Sequence, residues 1–171
     1  MGFFSFIKDA GEKLFGSKDA EAAAAAAAAT DDEAAKTKLE ATNRAAGDAI
    51  QSYIEAQDLT ITGLLVTFDA ASSTVALFGV AEDQATKEKA LLCAGNVSGV
   101  SNVTDNMSVD LSGPEATYHD VVSGDNLSKI SKAAYGDPNK YMLIFEANKP
   151  MLSHPDKIYP GQKLRIPPLD A

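Results

Sequence analysis

Residues 64–79 read LLVTFDAASSTVALFG, which places a short polar segment between two β-prone runs. The runs over 64–68 and 74–79 are rich in Val, Thr and Phe, which favour strands. The segment between them, DAASS at 69–73, has the small polar character of a turn. This stretch therefore predicts a β-hairpin, and the surrounding sequence indicates what packs on it.

Amphipathic helices are predicted on both sides of the hairpin. Upstream, from Glu33 onward, apolar residues recur at helical spacing, so that one helix face can be buried. These residues are Leu39, Ala46, Ile50, Tyr53 and Ile54. Downstream, a second helix is expected over 83–94, with Glu82 and Asp83 at its positive end and Gly95 as its C-terminal stop.

A third strand is predicted after the second helix, over residues 100–111. Apolar side chains alternate along this segment, at Val103, Met107, Val109 and Leu111. The order helix, strand, strand, helix, strand predicts a small α+β layer, in which two helices cover one face of a three-stranded sheet.

A second unit follows the linker 112–117, which breaks the periodicity with Gly and Pro. A strand is expected over 119–122, and two helices over 127–135 and 139–148. A short strand over 163–166 closes the unit after a Pro-Gly turn. The predicted order is strand, helix, helix, strand.

The composition is that of an acidic, soluble globular protein. The chain has 171 residues, 45% hydrophobic and 23% charged, enough for one mid-sized domain or two small ones. Its formal net charge of -9 argues against nucleic acid as a partner. Residues 117–171 carry +1 and residues 1–116 carry -10, so a cation meets the more favourable field in the first part.

Few side chains have the chemistry that catalysis or metal ligation usually needs. Cys93 is the only cysteine, and His119 and His154 are the only histidines, so neither a disulfide nor a Cys-based zinc site is expected. Cys93 lies in an apolar helix and is interpreted as a small buried hydrophobe. Since no catalytic triad, phosphate loop or carboxylate pair is recognised, we do not expect an enzyme.

The N-terminal segment and the alanine tract require separate interpretation. Residues 2–7, GFFSFI, have no preceding basic residue and are shorter than the about 20 residues of a membrane helix, so we expect neither export nor anchoring but a cytoplasmic protein. The segment is predicted to form a short amphipathic helix that docks through Phe3, Phe4, Ile7, Leu14 and Phe15. The eight alanines of 22–29 are interpreted as a frayed, solvated helix or a linker, inserted between 17 and 32.

The C-terminal segment, 118–169, resembles a LysM domain. The matching residues are the HDVVSGDNL run at 119–127, Tyr135-Gly136, Ala147-Asn148 and the YPGQ run at 159–162. In that family, glycans that contain N-acetylglucosamine lie in a shallow groove. The resemblance places this groove at Gly124, Asp125, Asn126 and Leu127 on one side and at Asn148, Lys149, Pro150 and Met151 on the other.

Residues 33–111 look like a BON domain, on the order of elements and the GNVSGV run at 95–100. The N-terminal segment 1–16 begins MGFFSFIKDAGEKL and precedes the BON and LysM units. Together they resemble a family of small bacterial cytosolic potassium-binding proteins. The resemblance covers nearly the whole chain except the alanine-rich stretch 17–32.

The resemblance implies that the ligand is a potassium ion, K+. This large, weakly hydrated ion suits neutral carbonyl oxygens, whereas carboxylate cages suit calcium and octahedral oxygens with water suit magnesium. Glycine-punctuated helix ends supply such carbonyls, because the last helical turn leaves them unpaired. Carried over from the family, the expected ligands are the main-chain carbonyls of Ile7, Ala10, Glu12, Gly95, Val97 and Val100.

Three functions follow from these interpretations. The leading hypothesis is a monomeric cytoplasmic K+ sensor or buffer that stiffens or compacts when the ion binds. The alternative is an envelope protein that binds peptidoglycan through its LysM domain. A third is an adaptor whose LysM domain binds a protein, with a basic surface formed by Lys132, Lys140, Lys149 and Lys157.

Overall fold

A computed structural model of the protein describes residues 2–5, 13–29 and 32–169, with residues 2–5 described as backbone only. Twelve elements are formed in the described ranges. They are β1 (Gly2–Ser5), α1 (Ser17–Ala29), α2 (Glu33–Glu55), β2 (Ile61–Asp69), β3 (Thr74–Asp83), α3 (Gln84–Gly95), β4 (Asn102–Leu111), β5 (Thr117–Asp120), α4 (Leu127–Tyr135), a 3-10 turn (Pro138–Lys140), α5 (Tyr141–Ala147) and β6 (Lys163–Ile166).

The first unit is a sheet with the strand order β1-β4-β3-β2, covered by helices. The predicted hairpin is confirmed: β2 and β3 pair antiparallel, with Leu65 opposite Phe78. β4 runs parallel to β3, and α3 is the crossover between them. Ile50 and Ile54 of α2 pack in one core with Val75 and Leu77 of β3.

The sheet has four strands, so the prediction of three is wrong, and the additional strand is the segment predicted to be helical. β1 pairs antiparallel with β4, with Gly2 opposite Asp105 and Ser5 opposite Asn102. The aromatic-rich start is β-prone, and an unpaired edge of β4 offers it a row of backbone donors and acceptors. A short isolated helix has no comparable stabilisation.

The structure agrees only in part with the predicted docking of the apolar N-terminal residues. Leu14 and Phe15 pack against the main core as predicted, and the Phe15 ring centroid lies 5.0 Å from that of Phe68. Phe3 and Phe4 are strand residues of β1. Ile7 lies outside the described residues.

The alanine-rich segment is a helix, α1, and one of its faces is buried. Ala20 and Ala24 belong to the main core, and Ala23 is also buried. The interpretation as a solvated helix or linker is therefore wrong for this face. Alanine side chains are small enough to let α1 lie close to α2, which supplies burial that a single helix would lack.

The second unit contains the antiparallel pair β5 and β6, with α4 and α5 packed on it. Its core holds Ile130, Ile144 and Leu164, among others. The helix predicted over 139–148 is shorter than expected: α5 begins only at Tyr141, after a 3-10 turn in which Asp137 accepts a hydrogen bond from the Asn139 N–H at 2.9 Å. The predicted order of strand, two helices and strand is confirmed.

No helix in the described ranges is both long enough and apolar enough to span a membrane.

Gly47→Ala tests the close approach of α2 to β2. An added Cβ would lie 2.9 Å from the Val66 carbonyl oxygen, so backbone would have to shift. Gly→Ala in an exposed helix position stabilises by about 1 kcal/mol, but here we expect a loss of about 1–3 kcal/mol from overpacking. Urea denaturation measures it, with exposed Ala45→Gly as the control for propensity alone. A Gly47→Ala variant more stable than the parent would contradict the packing.

Candidate functional site

The loop of residues 95–100 joins the end of α3 to the start of β4, and all six residues are buried. The Asn96 N–H donates to the Leu92 carbonyl at 2.9 Å and ends the helix. The Val100 N–H donates to the Val97 carbonyl at 3.1 Å, which closes a tight turn. Gly99 within this turn has φ +98°, a conformation that favours glycine.

Three carbonyls of this loop are those predicted to face a cation. In the part of the chain that the structure describes, no backbone N–H donates to the carbonyl oxygens of Gly95 and Val100. The Val97 carbonyl accepts one hydrogen bond and keeps a second lone pair. No three His, Cys, Asp or Glu residues among the described ones cluster as metal ligands do. The donor set of this loop is therefore neutral oxygen, which fits K+.

The other half of the predicted site, at Ile7, Ala10 and Glu12, lies outside the described residues. The strand that precedes it is described, and its register matters. β1 runs antiparallel to β4, and its last residue, Ser5, lies opposite Asn102 at the end of β4 that the loop enters. Ser5 is therefore aligned with a position only two residues beyond Val100.

Asn96, within the loop, reaches across to the second domain. Its Nδ2 donates to the Lys163 carbonyl at 2.9 Å, and its Oδ1 accepts from the Lys163 N–H at 2.8 Å. Nδ2 also lies 3.3 Å from the Met151 sulfur. From the sequence, Asn96 was predicted only as part of the loop motif at 95–100. An Asn after a helix is so common a turn residue that its side-chain partner is not evident from sequence.

A buried ion pair joins α3 to β6 near this contact. The Arg165 Nε lies 2.6 Å from Glu88 Oε2, and both side chains are less than 10% exposed. The second carboxylate oxygen, Oε1, accepts hydrogen bonds from the Ala116 N–H at 3.0 Å and from Gln84 Nε2 at 2.9 Å. Burial, and to a lesser extent the charge of Arg165, lowers the pKa of neighbouring Lys89. The Glu88 carboxylate therefore connects helix α3 to the interdomain linker and to β6.

The first side of the predicted glycan groove is the loop before α4. Gly124 and Asn126 are exposed, and Leu127 is buried in the second core. Asn126 Oδ1 accepts from the Lys129 N–H at 2.9 Å and so caps α4. Asp125 accepts from His119 Nε2 at 2.8 Å and from the Val122 N–H at 3.0 Å, and these hydrogen bonds lower its pKa.

The second side of that groove is largely engaged within the protein. Asn148 is buried and its carboxamide binds the Arg165 backbone, at 2.7 Å to the carbonyl and 2.8 Å from the N–H. Met151 packs partly against the first core. Lys149 and Pro150 are exposed. The structure thus presents only part of the predicted groove to a glycan.

The predicted character of Cys93 is confirmed. It is a free, buried cysteine, and burial raises the pKa of its thiol to about 12. The sulfur therefore stays protonated and behaves as a small hydrophobic group.

Comparison with known proteins supports both domain predictions. The BON domain profile matches residues 45–110, and the LysM domain profile matches residues 119–167. The chain is 42% identical over 167 residues to the potassium binding protein Kbp of Escherichia coli O6:H1, with 98% of this chain and 99% of that protein covered. It is 51% identical over 51 residues to an uncharacterized protein of Deinococcus radiodurans, with 30% of this chain and 19% of that protein covered.

Glu88→Gln tests the importance of the buried pair. The amide keeps the shape of the carboxylate but leaves the Arg165 charge buried without a counter-charge, so we expect a loss of about 3–5 kcal/mol in unfolding free energy. Lys149→Ala is the matched control, because its pair with Glu146 is about half exposed and should contribute less than about 1 kcal/mol. Urea denaturation compares them, and equal losses would show that the buried pair has no special weight.

Proposed function

Because the chain belongs to the same family as the potassium binding protein Kbp of Escherichia coli, we propose that it binds potassium ions. The observation that carries the proposal is the 42% identity, which extends along 98% of the chain and 99% of that relative. A match of this length includes the N-terminal segment and both domains. It is therefore more specific than the presence of either domain type alone.

The proposed ligands are main-chain carbonyl oxygens from two segments. Gly95, Val97 and Val100 supply three, and residues 7, 10 and 12 of the N-terminal segment supply the others. Two observations support this arrangement. The loop carbonyls of Gly95 and Val100 accept no backbone hydrogen bond from the described residues, and the register of β1 brings Ser5 to the loop end of β4.

Neutral ligands and a distant negative field together suit K+. Carbonyl dipoles replace the hydration shell of a large monovalent ion without the strong field of carboxylates, which would favour divalent ions. The charge of -10 over residues 1–116 raises the local concentration of cations without direct coordination. The ion would thus be attracted by charge and selected by dipoles.

We propose that the protein acts in the cytoplasm as a monomeric K+ sensor or buffer. A cation held between the N-terminal segment and the loop cross-links two parts of the chain that are far apart in sequence. Binding is therefore expected to stiffen or compact the first domain, since the ion stabilises only the state in which both segments are in place.

The LysM domain taken alone would favour glycan binding as the function. Its loop with Gly124 and Asn126 is exposed. Asn148 and Met151 on the other side are engaged by β6 and by the first domain. We therefore propose potassium, and not a glycan, as the principal ligand.

Thermal unfolding in potassium chloride tests the proposed ligand. At a hundredfold excess over the dissociation constant, a ligand adds about 2.7 kcal/mol, which corresponds to an increase of about 5–10 °C in Tm for a chain of this size. Sodium chloride at equal ionic strength is the control, because it reproduces screening without the specific ion. Identical Tm values in the two salts would contradict potassium binding.

Gly99→Ala tests the proposed loop, with Gly136→Ala as its matched control. Both glycines have positive φ, +98° and +75°, so both substitutions are expected to lower Tm in sodium through strain of about 1–2 kcal/mol. Only Gly99 lies between the proposed ligands, so only Gly99→Ala should lose most of the potassium-dependent Tm increase. A Gly99→Ala variant that keeps the full increase would place the site elsewhere.

A further inference from the structure

The geometry points to Asn96 as a positioning residue through which the LysM domain holds the loop of residues 95–100 in place. This assignment rests on the potassium site proposed above. Asn96 lies between two proposed ligands, Gly95 and Val97. The residue is 5% exposed, and its side chain makes two short hydrogen bonds to the backbone of Lys163, 67 residues away.

The strand β6 is paired with β5 on one side only. The register of this pair decides which backbone groups of β6 face the other side, where the carboxamide binds. The Val121 N–H donates to the Gln162 carbonyl, and Leu164 lies opposite His119. In an antiparallel pair the hydrogen-bonding groups alternate between the two sides, so those of Lys163 point away from β5. A carboxamide offers one donor and one acceptor, as a neighbouring strand would.

Asn148 fills the same edge two residues further along. Its carboxamide accepts from the Arg165 N–H and donates to the Arg165 carbonyl. Asn148 directly follows α5 of the LysM domain itself, whereas Asn96 belongs to the loop of the BON domain. The two side chains therefore make the same interaction on the same strand, but only one of them connects the domains.

The backbone around Asn96 explains why its side chain would affect ion binding. The Asn96 N–H is fixed to the Leu92 carbonyl of α3, and the side chain is fixed to β6. The Gly95 carbonyl belongs to the peptide group that carries this N–H, and the Val97 carbonyl follows one residue later. With both anchors in place, the two carbonyls have a defined direction before the ion arrives, which lowers the cost of ordering them on binding.

The anchor also makes ion binding and domain docking reciprocal. If the docked LysM domain increases affinity for K+, then K+ must increase the stability of the docked contact by the same factor. The Glu88–Arg165 pair is a separate contact between the domains. Loss of the Asn96 side chain is therefore expected to loosen the loop while the domains stay joined.

The experiment measures K+ affinity of the full-length chain by calorimetric titration in sodium buffer at constant ionic strength. Asn96→Ala removes the two buried hydrogen bonds that fix the loop to β6, so we expect affinity to fall by about tenfold or more. Asn148→Ala is the matched control, and its affinity should stay within about twofold of the parent. Thermal melts in sodium establish that each variant is folded.

A second pair of variants acts from the other side of the contact. Lys163→Pro removes the N–H that donates to Asn96, and Pro is tolerated at the first residue of a strand. Lys163→Ala keeps that N–H and loses the same side chain, including its ion pair with Asp120. Only the Pro variant should weaken K+ binding, although the substituted residue lies in the other domain. In the parent, K+ should slow hydrogen exchange of the Lys163 amide.

The outcomes separate the two proposals. If the parent binds K+ and Asn96→Ala binds it as tightly, the positioning role is wrong and the proposed function stands. Equal weakening by Asn96→Ala and Asn148→Ala would also overturn the role, since it would trace the effect to general loosening of the LysM domain. A parent that shows no response to K+ would overturn the proposed function and the inference together.

Discussion

The parallel pairing of β3 and β4 determines the course of the chain around the sheet. Because Thr74 lies opposite Asn102, the chain must cross the length of the sheet through α3 and return to the end at which β3 begins. It turns within residues 95–101, and the N–H groups of Ser101 and Asn102 then bind the Ser73 carbonyl. A turn this short leaves carbonyls of a helix end without backbone donors. The antiparallel β1 ends at this same end of the sheet, next to the first residue of β4.

Helix α3 and the residue after it connect the first domain to the second. It packs on β3 and β4, while Glu88 binds Arg165 of β6 and the residue after the helix, Asn96, binds Lys163. Both of these polar contacts are buried, so each polar group depends on its partner for hydrogen bonds that water does not supply. The loop that carries the proposed ligands is therefore part of the domain interface.

Local signals in the sequence were sufficient for much of the fold. Asp83 caps α3 by accepting from the Thr86 N–H at 2.7 Å, and the helix ends at Gly95, as their residue types predict. The strand character of Gly2–Ser5 was missed because it depends on the edge of β4, a strand about a hundred residues later. The partners of Glu88 and Asn96 lie 77 and 67 residues away, and a charged or amide side chain on a helix ordinarily indicates a solvated face. Pairing over such distances leaves no periodic trace in a single sequence. Backbone ligands leave even less, since a residue of any type carries the same main-chain carbonyl.

In the proposed site, the carbonyl oxygens of Gly95, Val97 and Val100 bind a monovalent cation. Anomalous diffraction from crystals in which Rb+ replaces K+ tests it most directly, because the signal locates the ion without any assumption about its ligands. One strong peak is expected within coordination distance of all three oxygens. A peak at another place in the protein, with these three oxygens facing water or bonded to N–H groups, would contradict it.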